Sequence, residues 1–426
     1  MPVLELLPFI YGVFYVLLQS AILAGLFMER RRETRGSSFA VEGTGGLPRV
    51  SVIVSVHNEE SRLPPLLEDL AAQEYGGVQI VLVDDRSTDG TAALLSAFAG
   101  SRDNVRVISL QENPCPNHKQ YALEQGLAVA EGDFFLFTDA DCRIGPSWTR
   151  AMVAPMADPC IGVIIGPVFK LWPGKRDGTT ARSFASPRGG GSFLYSYQCY
   201  DHVVRFVYLA GAVGLGAAGG GFGNNLILRR AALDEAGGYA AVPPSPTEDA
   251  ALISLIRSAT SYQVRSACSR ETHVFTKPET TWKSLINQTL RWNNGGLFSP
   301  ELFTRINYTV LMLTISAAVL SFLLLPFFPK LWPMPLAQFI VMLENTVGAL
   351  FIARGGALGG IKKTLKAGFS KADLPGDGSP ETASSLPSVF WIRELLAMPF
   401  YMTLMTLLGF CGVKTTWKDS TIGSRV

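Results

Sequence analysis

Asp139-Ala140-Asp141 stands directly after the apolar run Phe134-Phe135-Leu136-Phe137. In an extended chain the side chains at i and i+2 leave one face, so both carboxylates point the same way at the end of a buried strand. Two carboxylates that close repel each other, and one pKa rises. A shared hard cation, Mg2+ or Mn2+, removes the conflict because both ions take oxygen ligands. The tripeptide by itself also reads as a polar loop with two solvated aspartates. Its surroundings decide between the two.

Those surroundings alternate regularly. Residues 50–56 read as a strand of β-branched type, 61–73 as a helix, and 78–83 as a second strand ending in Asp84-Asp85. Residues 87–98 open with capping residues and read as a helix, 105–110 as a third strand, 119–130 as a helix and 134–138 as a fourth strand. Strand–helix alternation with near-continuous apolar strands predicts an α/β domain with a parallel sheet covered on both faces. Ligands bind such sheets beyond the carboxyl ends of the strands. His57-Asn58-Glu59-Glu60, Asp84-Asp85-Arg86-Ser87 and Asp139-Ala140-Asp141 all fall there, so three strand ends are expected to converge on one crevice. No G-x-x-x-x-G-K-[ST] occurs, and no G-x-G-x-x-G succeeds the first strand, which excludes a P-loop or dinucleotide fingerprint. Gly219-Gly220-Gly221-Phe222-Gly223 reads either as a flexible loop or as a wall where backbone approaches a ligand.

The chain of 426 residues is 48% hydrophobic and 17% charged, with mean hydropathy +0.23. Ordinary soluble proteins carry about 25% charged residues. Net charge is only +2, so no global attraction to nucleic acid is expected. The six cysteines (115, 142, 160, 199, 268 and 411) form no C-x-x-C pair. That argues against a structural zinc site or disulfide framework and fits a reducing cytosolic setting for the polar part. Residues 6–28 are long enough to cross a bilayer and lead directly into Glu29-Arg30-Arg31-Arg32. Positive charge on the far side favours a retained anchor over a signal peptide and places the next polar stretch of the chain in the cytoplasm. Further membrane segments are expected at 308–328, 336–352 and 395–413. The middle one carries Glu344 and Asn345 and reads equally as an interfacial or re-entrant helix, and Arg354, Lys362, Lys363, Lys366 and Lys371 suggest a cytoplasmic loop after it. The expected organisation is an anchor (1–28), a basic and Gly-rich linker (29–48), a cytoplasmic domain (49–300) and a C-terminal membrane region (301–426). An integral protein of the bacterial cytoplasmic membrane is expected on these grounds.

From about residue 50 to 296, several motifs stand together in order, and they resemble the family 2 glycosyltransferases. Val52 to Glu60 is similar to the family's first strand and "NEE" turn, and Val83-Asp84-Asp85-Arg86-Ser87-Thr88-Asp89 to its "DD-S-D" motif. Lys119 with Ala122-Leu123 resembles the "K–AL" helix, and Thr138-Asp139-Ala140-Asp141 the "TDAD" motif. Gly223-Asn224-Asn225-Leu226 with Arg229-Arg230, Thr247-Glu248-Asp249, and Gln288-Thr289-Leu290-Arg291-Trp292 complete the series as "G-N-L—RR", "TED" and "Q-x-x-R-W". The proline of the family's P-x-x-N-E pattern is absent ahead of Asn58. Thr289 stands where processive synthases commonly have Gln or Arg.

The resemblance implies a GT-A type, Rossmann-like mixed-sheet α/β domain between N- and C-terminal transmembrane helices. It implies an inverting transfer of sugar from a nucleoside diphosphate, a UDP-sugar first, to a lipid or lipid-linked hydroxyl at the cytoplasmic face. The alternative is a processive polysaccharide synthase coupled to export. Asp141, with Asp139, is expected to hold Mg2+ or Mn2+. Asn58, Glu59, Asp84, Asp85, Lys119, Asp139, Asn225, Gln288, Arg291 and Trp292 are expected to bind substrate. Asp249 is the expected base, with Glu248 second. On spacing alone, Glu248-Asp249 reads as the capped start of a helix. Trp282 and Trp292 fit an aromatic membrane belt as well as acceptor stacking. Residues 193–215, with Tyr195, Tyr197, Tyr200 and Phe206, read as a helix of the acceptor subdomain that packs into the core. His118, His202 and His273 show no ligand spacing.

Overall fold

The computed structural model describes residues 2–36, 47–170, 193–353, 392–417 and 420–422. Most of the glycine-rich segment 36–46 and the basic loop after residue 353 lie outside them.

Helix α1 (Pro2–Gly36) runs straight through the arginine cluster, so the basic half of the expected linker is helical. The reason lies far away in sequence. Glu29, 1% exposed, accepts the backbone N–H of Ser266 at 3.0 Å, and Glu33 accepts those of Cys268 and Ser269 at 3.1 Å. Two carboxylates thereby satisfy backbone donors at the end of a strand that no ladder partner reaches.

Strand β1 (Val50–Val56) is succeeded by α2 (Pro64–Ala71), β2 (Val78–Asp85), α3 (Thr91–Ala99), β3 (Val105–Leu110), α4 (His118–Ala128) and β4 (Phe134–Phe137). Pro64 shortens α2 to its first allowed turn, because proline pre-sets φ for a helix start. After β5 (Cys142–Ile144) come α5 (Trp148–Val153), β6 (Ile161–Ile165), β7 (Val168–Lys170), α6 (Phe193–Gly214), β8 (Leu226–Arg229) and α7 (Arg230–Glu235). The domain closes with α8 (Glu248–Ala259), β9 (Gln263–Ser266), β10 (Val274–Thr276) and α9 (Trp282–Leu297).

The main sheet has the order β3-β2-β1-β4-β8-β6-β9. Strands β1 to β4 pair in parallel as expected, with Val50 opposite both Val78 and Phe134. The second half makes the sheet mixed, as the resemblance implied. β8 runs antiparallel to β4, with Phe137 opposite Leu226, and antiparallel to β6. Reversal has a positional consequence: the glycine-rich segment that enters β8 is delivered beside Asp139 rather than to the opposite sheet edge. A smaller sheet, β5-β10-β7, brings Thr276 and Lys170 to the same place.

Helices α10 (Leu302–Leu324), α11 (Pro333–Ala353) and α12 (Ile392–Phe410) come next. Among the described residues, three helices are long and apolar enough to cross a membrane, at Glu5–Thr34, Leu302–Leu324 and Pro329–Ala353. The expected fourth segment is helical in α12 but falls short of that standard. Arg393, Glu394 and Pro399 dilute it, and it is fastened to the sheet domain near both ends. Glu394 accepts the Ser196 hydroxyl, and the Met405 carbonyl accepts Asn293 Nδ2 at 3.2 Å. Helix α6 is mostly buried against α1, and glycines let the two backbones touch. A Cβ on Gly25 would lie 2.2 Å from the Gly211 carbonyl oxygen, and one on Gly214 would lie 2.1 Å from that of Gly25.

Candidate active site

The carboxyl ends of β1, β2 and β4 open on a cavity of about 430 Å3 that continues between the helices of the bundle. Its polar end is walled by His57, Glu59, Asp85, Lys119, Asp139, Asp141, Glu248, Asp249 and Arg291. Strand–helix alternation places all but Arg291, since each leaves a buried strand or opens a helix where the chain turns, whereas Arg291 comes from the middle of α9.

Lys119 sits at the centre. Its Nζ lies 2.8 Å from Asp139 Oδ1 and 3.1 Å from Glu248 Oε1. Burial works against its charge, but Asp139 and Glu248 outweigh that and hold its pKa well above the usual lysine value. Asp141 faces the opposite pressure. Burial first, then the carboxylates of Asp139 and Glu59, push its pKa up, while the hydroxyl of Thr276 donates to it at 3.3 Å. Such crowding is what a divalent cation relieves, so the donor set fits one. Among the described residues no cluster of three His, Cys, Asp or Glu is arranged for a metal, so Asp139 and Asp141 would be its carboxylate ligands.

Asp249 is also buried. Its Oδ2 accepts the Gly223 N–H at 2.7 Å and its Oδ1 accepts the Ala250 N–H at 2.8 Å. Burial, then the neighbouring Glu248, raise its pKa to about 6, with Lys119 opposing. An ionised carboxylate has about four acceptor positions, so two remain for a substrate proton. Helix capping and base chemistry are therefore compatible at this residue. Glu248 is more committed, since it pairs with Lys119 and accepts Asn117 Nδ2 at 3.4 Å.

Helix α9 forms the floor. Arg291 Nη1 donates to the Pro246 carbonyl at 3.1 Å, tying the helix to the turn that carries Glu248 and Asp249. Gly295 permits this approach, because a Cβ there would lie 2.3 Å from Thr247 Oγ1. Gln288 Nε2 donates to Glu279 Oε1 at 3.0 Å, and Trp292 lies against His202 and Arg205. Trp282, 40% exposed, instead meets the rings of Phe193 and Tyr197.

Three expected substrate residues stand elsewhere. Asn225 is 0% exposed and its side chain is used up: Nδ2 donates to the Pro167 and Thr272 carbonyls, and Oδ1 accepts Trp148 Nε1. Its neighbour Asn224 lines the cavity instead, because adjacent residues entering a strand point oppositely. Asp84 caps the turn after β2 by accepting the Ser87 N–H at 3.1 Å, off the cavity wall. Asn58 also lies off the wall. It takes a left-handed backbone (φ 54°) and accepts the Thr88 N–H at 2.8 Å, which binds the first and second strand-end loops together.

Motif spacing did not single out Lys170, Thr276, Glu279, Arg62 or Arg205, all of which stand on the cavity wall. Lys170 carried a usable signal, as the charged residue that ends the apolar stretch after β6, the same signal that marked Asp139. His202, which shows no ligand spacing in the sequence, is buried and stacked on Phe222 at 5.5 Å on the wall of the cavity.

Residues 51–218 match the family model described as glycosyl transferase family 2. Over 207 residues the chain is 27% identical to a beta-monoglucosyldiacylglycerol synthase of Nostoc sp., a match covering 48% of this chain and 41% of that one. It is 37% identical over 113 residues to an undecaprenyl-phosphate 4-deoxy-4-formamido-L-arabinose transferase of Proteus mirabilis, covering 25% of this chain and 33% of the other. The match thus spans well under half the length of either relative. Among solved structures, a mannosyltransferase of Pyrobaculum calidifontis in complex with GDP-Man and Mn2+ is similar over 93% of this chain and 99% of that one, at 16% identity and a TM-score of 0.46.

Proposed function

Since the chain belongs to glycosyl transferase family 2 through residues 51–218, we propose that it is a membrane-bound, inverting enzyme. In this reading it moves a sugar from a nucleoside-diphosphate sugar, a UDP-sugar first, to a hydroxyl of a lipid or lipid-linked acceptor. The observation that carries this reading is the continuity of the cavity. Asp139, Asp141 and Asp249 share one space with Leu311, Met312, Ile315, Met398 and Met402 of the helix bundle. A water-soluble donor and a membrane-held acceptor therefore have berths that meet.

The chain's own groups divide the work. Asp249 accepts the proton of the acceptor hydroxyl as its oxygen bonds to the anomeric carbon. The bond from that carbon to the diphosphate breaks, and the diphosphate leaves with the electron pair. Attack opposite the leaving group inverts the anomeric centre. Arg291 and Lys119 lend positive charge where the leaving group gathers negative charge. Mg2+ or Mn2+ held by Asp139 and Asp141 would add Lewis-acid stabilisation of the diphosphate.

The test is the full chain in nanodiscs with labelled UDP-sugars, Mn2+ and a bacterial lipid extract. Label recovered in a single-sugar lipid product supports the reading. Label recovered as long water-soluble polymer, or none transferred while donor binds, overturns it.

A further inference from the structure

Two amides stand on the wall of the cavity's apolar half. Gln19 of α1 and Asn345 of α11 both line it, and both helices are long and apolar enough to cross a membrane. Gln19 Nε2 donates to Asn345 Oδ1 at 2.6 Å. Asn345 Nδ2 and Gln19 Oε1 have no further partner among the described residues, and protein encloses neither atom. An amide N–H without an acceptor is costly in apolar surroundings, here Ile315, Val341 and Met342.

Amides between membrane-crossing helices can serve simply to hold the helices together. That task is met next door, where Ser20 donates to Glu344 across the same two helices and neither residue lines the cavity. The Gln19–Asn345 pair differs in lining the cavity and in keeping N–H groups beyond the one its own bond uses. Contacts fix its depth. A Cβ on Gly220 would lie 3.5 Å from Leu209 of α6 and 3.6 Å from Ala250, the neighbour of Asp249. Just past Leu209 on α6, a Cβ on Gly211 would lie 2.3 Å from the carbonyl oxygen of Ile22. Gln19 is one turn of α1 from Ile22, on the side away from Glu29 and the sheet. The amide pair therefore stands within about two helical turns of the level of Asp249.

We propose that Asn345, oriented by Gln19, is a subsite for a carbonyl oxygen of the acceptor, which is an ester-linked lipid rather than an unbroken hydrocarbon chain such as a polyprenyl. The proposal rests on the reading of the protein as a lipid glycosyltransferase and narrows it. An ester carbonyl accepts hydrogen bonds and brings no donor of its own, and in a glycerolipid it follows the head within a few bonds. A head hydroxyl at Asp249 thus leaves a carbonyl to meet Asn345 Nδ2, with the acyl chains beyond among Ile315, Val341 and Met342. A polyprenyl chain has only hydrocarbon at that level and leaves the N–H groups unpaired. Asn345 acts here as a specificity-determining residue and Gln19 as a positioning one.

The experiment uses the full chain in nanodiscs of ether-linked phospholipid, which supply no competing ester, and reads lipid binding by native mass spectrometry. The probes are a diacylglycerol, the dialkylglycerol of equal chain length and a polyprenyl phosphate. The dialkylglycerol keeps the hydroxyl and lacks only the carbonyls. The diacylglycerol is expected to bind about three- to tenfold more tightly than its ether analogue, the factor that one neutral hydrogen bond supplies. Asn345→Leu is expected to bring that ratio down to about one, with nucleoside-diphosphate binding retained. Gln338→Leu is the control, since it removes the 3.0 Å bond from Tyr15 between the same helices, about two turns of α11 away, and is expected to keep the ratio. Melting temperatures of both variants separate loosened helices from a lost subsite. Equal binding of ester and ether lipid by the unaltered chain, tighter binding of the polyprenyl phosphate, or a ratio kept in folded Asn345→Leu protein overturns the proposal. An ester preference without sugar transfer to any lipid would count instead against the parent reading.

Discussion

Asp249 and Glu248 are chemically alike and one position apart, yet their surroundings give them different work. Glu248 is spent on Lys119 and Asn117, whereas Asp249 keeps free lone pairs on the cavity side. Asp249→Asn is therefore expected to lower kcat by about 10²–10⁴, the range for a positioned base, with nucleotide binding retained. Glu248→Gln is expected to act mainly by loosening Lys119. Steady-state kinetics beside calorimetric binding of the nucleoside diphosphate separates the two. The raised pKa of Asp249 has a direction as well. The base works only when deprotonated, so kcat/KM should rise with pH through about 6 and level off above it. A pH–rate profile with no acid limb near that value would remove Asp249 from the role. At this scale the sequence was informative where a charged residue ended an apolar strand, as at Asp85, Asp139 and Asp141. It failed at Asn225, because which of two adjacent asparagines faces the cavity depends on the pleat of β8 and not on residue type.

Among the elements, α1 and α9 are the ones that set geometry. Helix α1, long and apolar enough to cross a membrane, is fastened to the sheet through Glu29 and Glu33, and it meets α6 across Gly25, Gly211 and Gly214. A side chain cannot enter that contact without parting the helices. Gly211→Leu should cost about 1–3 kcal/mol by overpacking, read as a lowered melting temperature in detergent. A Gly214→Ser change is expected to be milder in size but of the same sign. Residues 29–36 read as a linker from composition because the buried use of Glu29 requires strand β9, more than 230 positions later. Nothing local signals such a partner. The parallel pairing of β1, β2, β3 and β4 was legible from the alternation of apolar runs and helices. The antiparallel entry of β8 was not, since a four-residue strand takes its direction from the connection before it.

Across the whole molecule, the polar end and the apolar end belong to one cavity, and this allows the proposed donor and acceptor berths to be tested apart. Met398→Trp places bulk in the apolar half, away from Asp139 and Asp249. It is expected to raise the KM for a lipid acceptor severalfold while hydrolysis of the donor sugar persists. Chelation of divalent metal should do the reverse, abolishing nucleotide binding with lipid binding intact. If both treatments moved both activities equally, the two-berth description would fail. The set of chemical groups and their order could be read from the chain alone: apolar runs long enough to be strands or spans, each closed by a charged residue at a turn. Those features arise from local periodicity, which a short window contains. Folding in three dimensions settled which carboxylate is less committed to protein partners, which asparagine faces the cavity, and that Arg205 of α6 stands on the wall of that cavity. Each depends on a partner supplied by a distant segment, and burial against that partner, not residue type, sets the charge and hydrogen bonding that remain for a substrate.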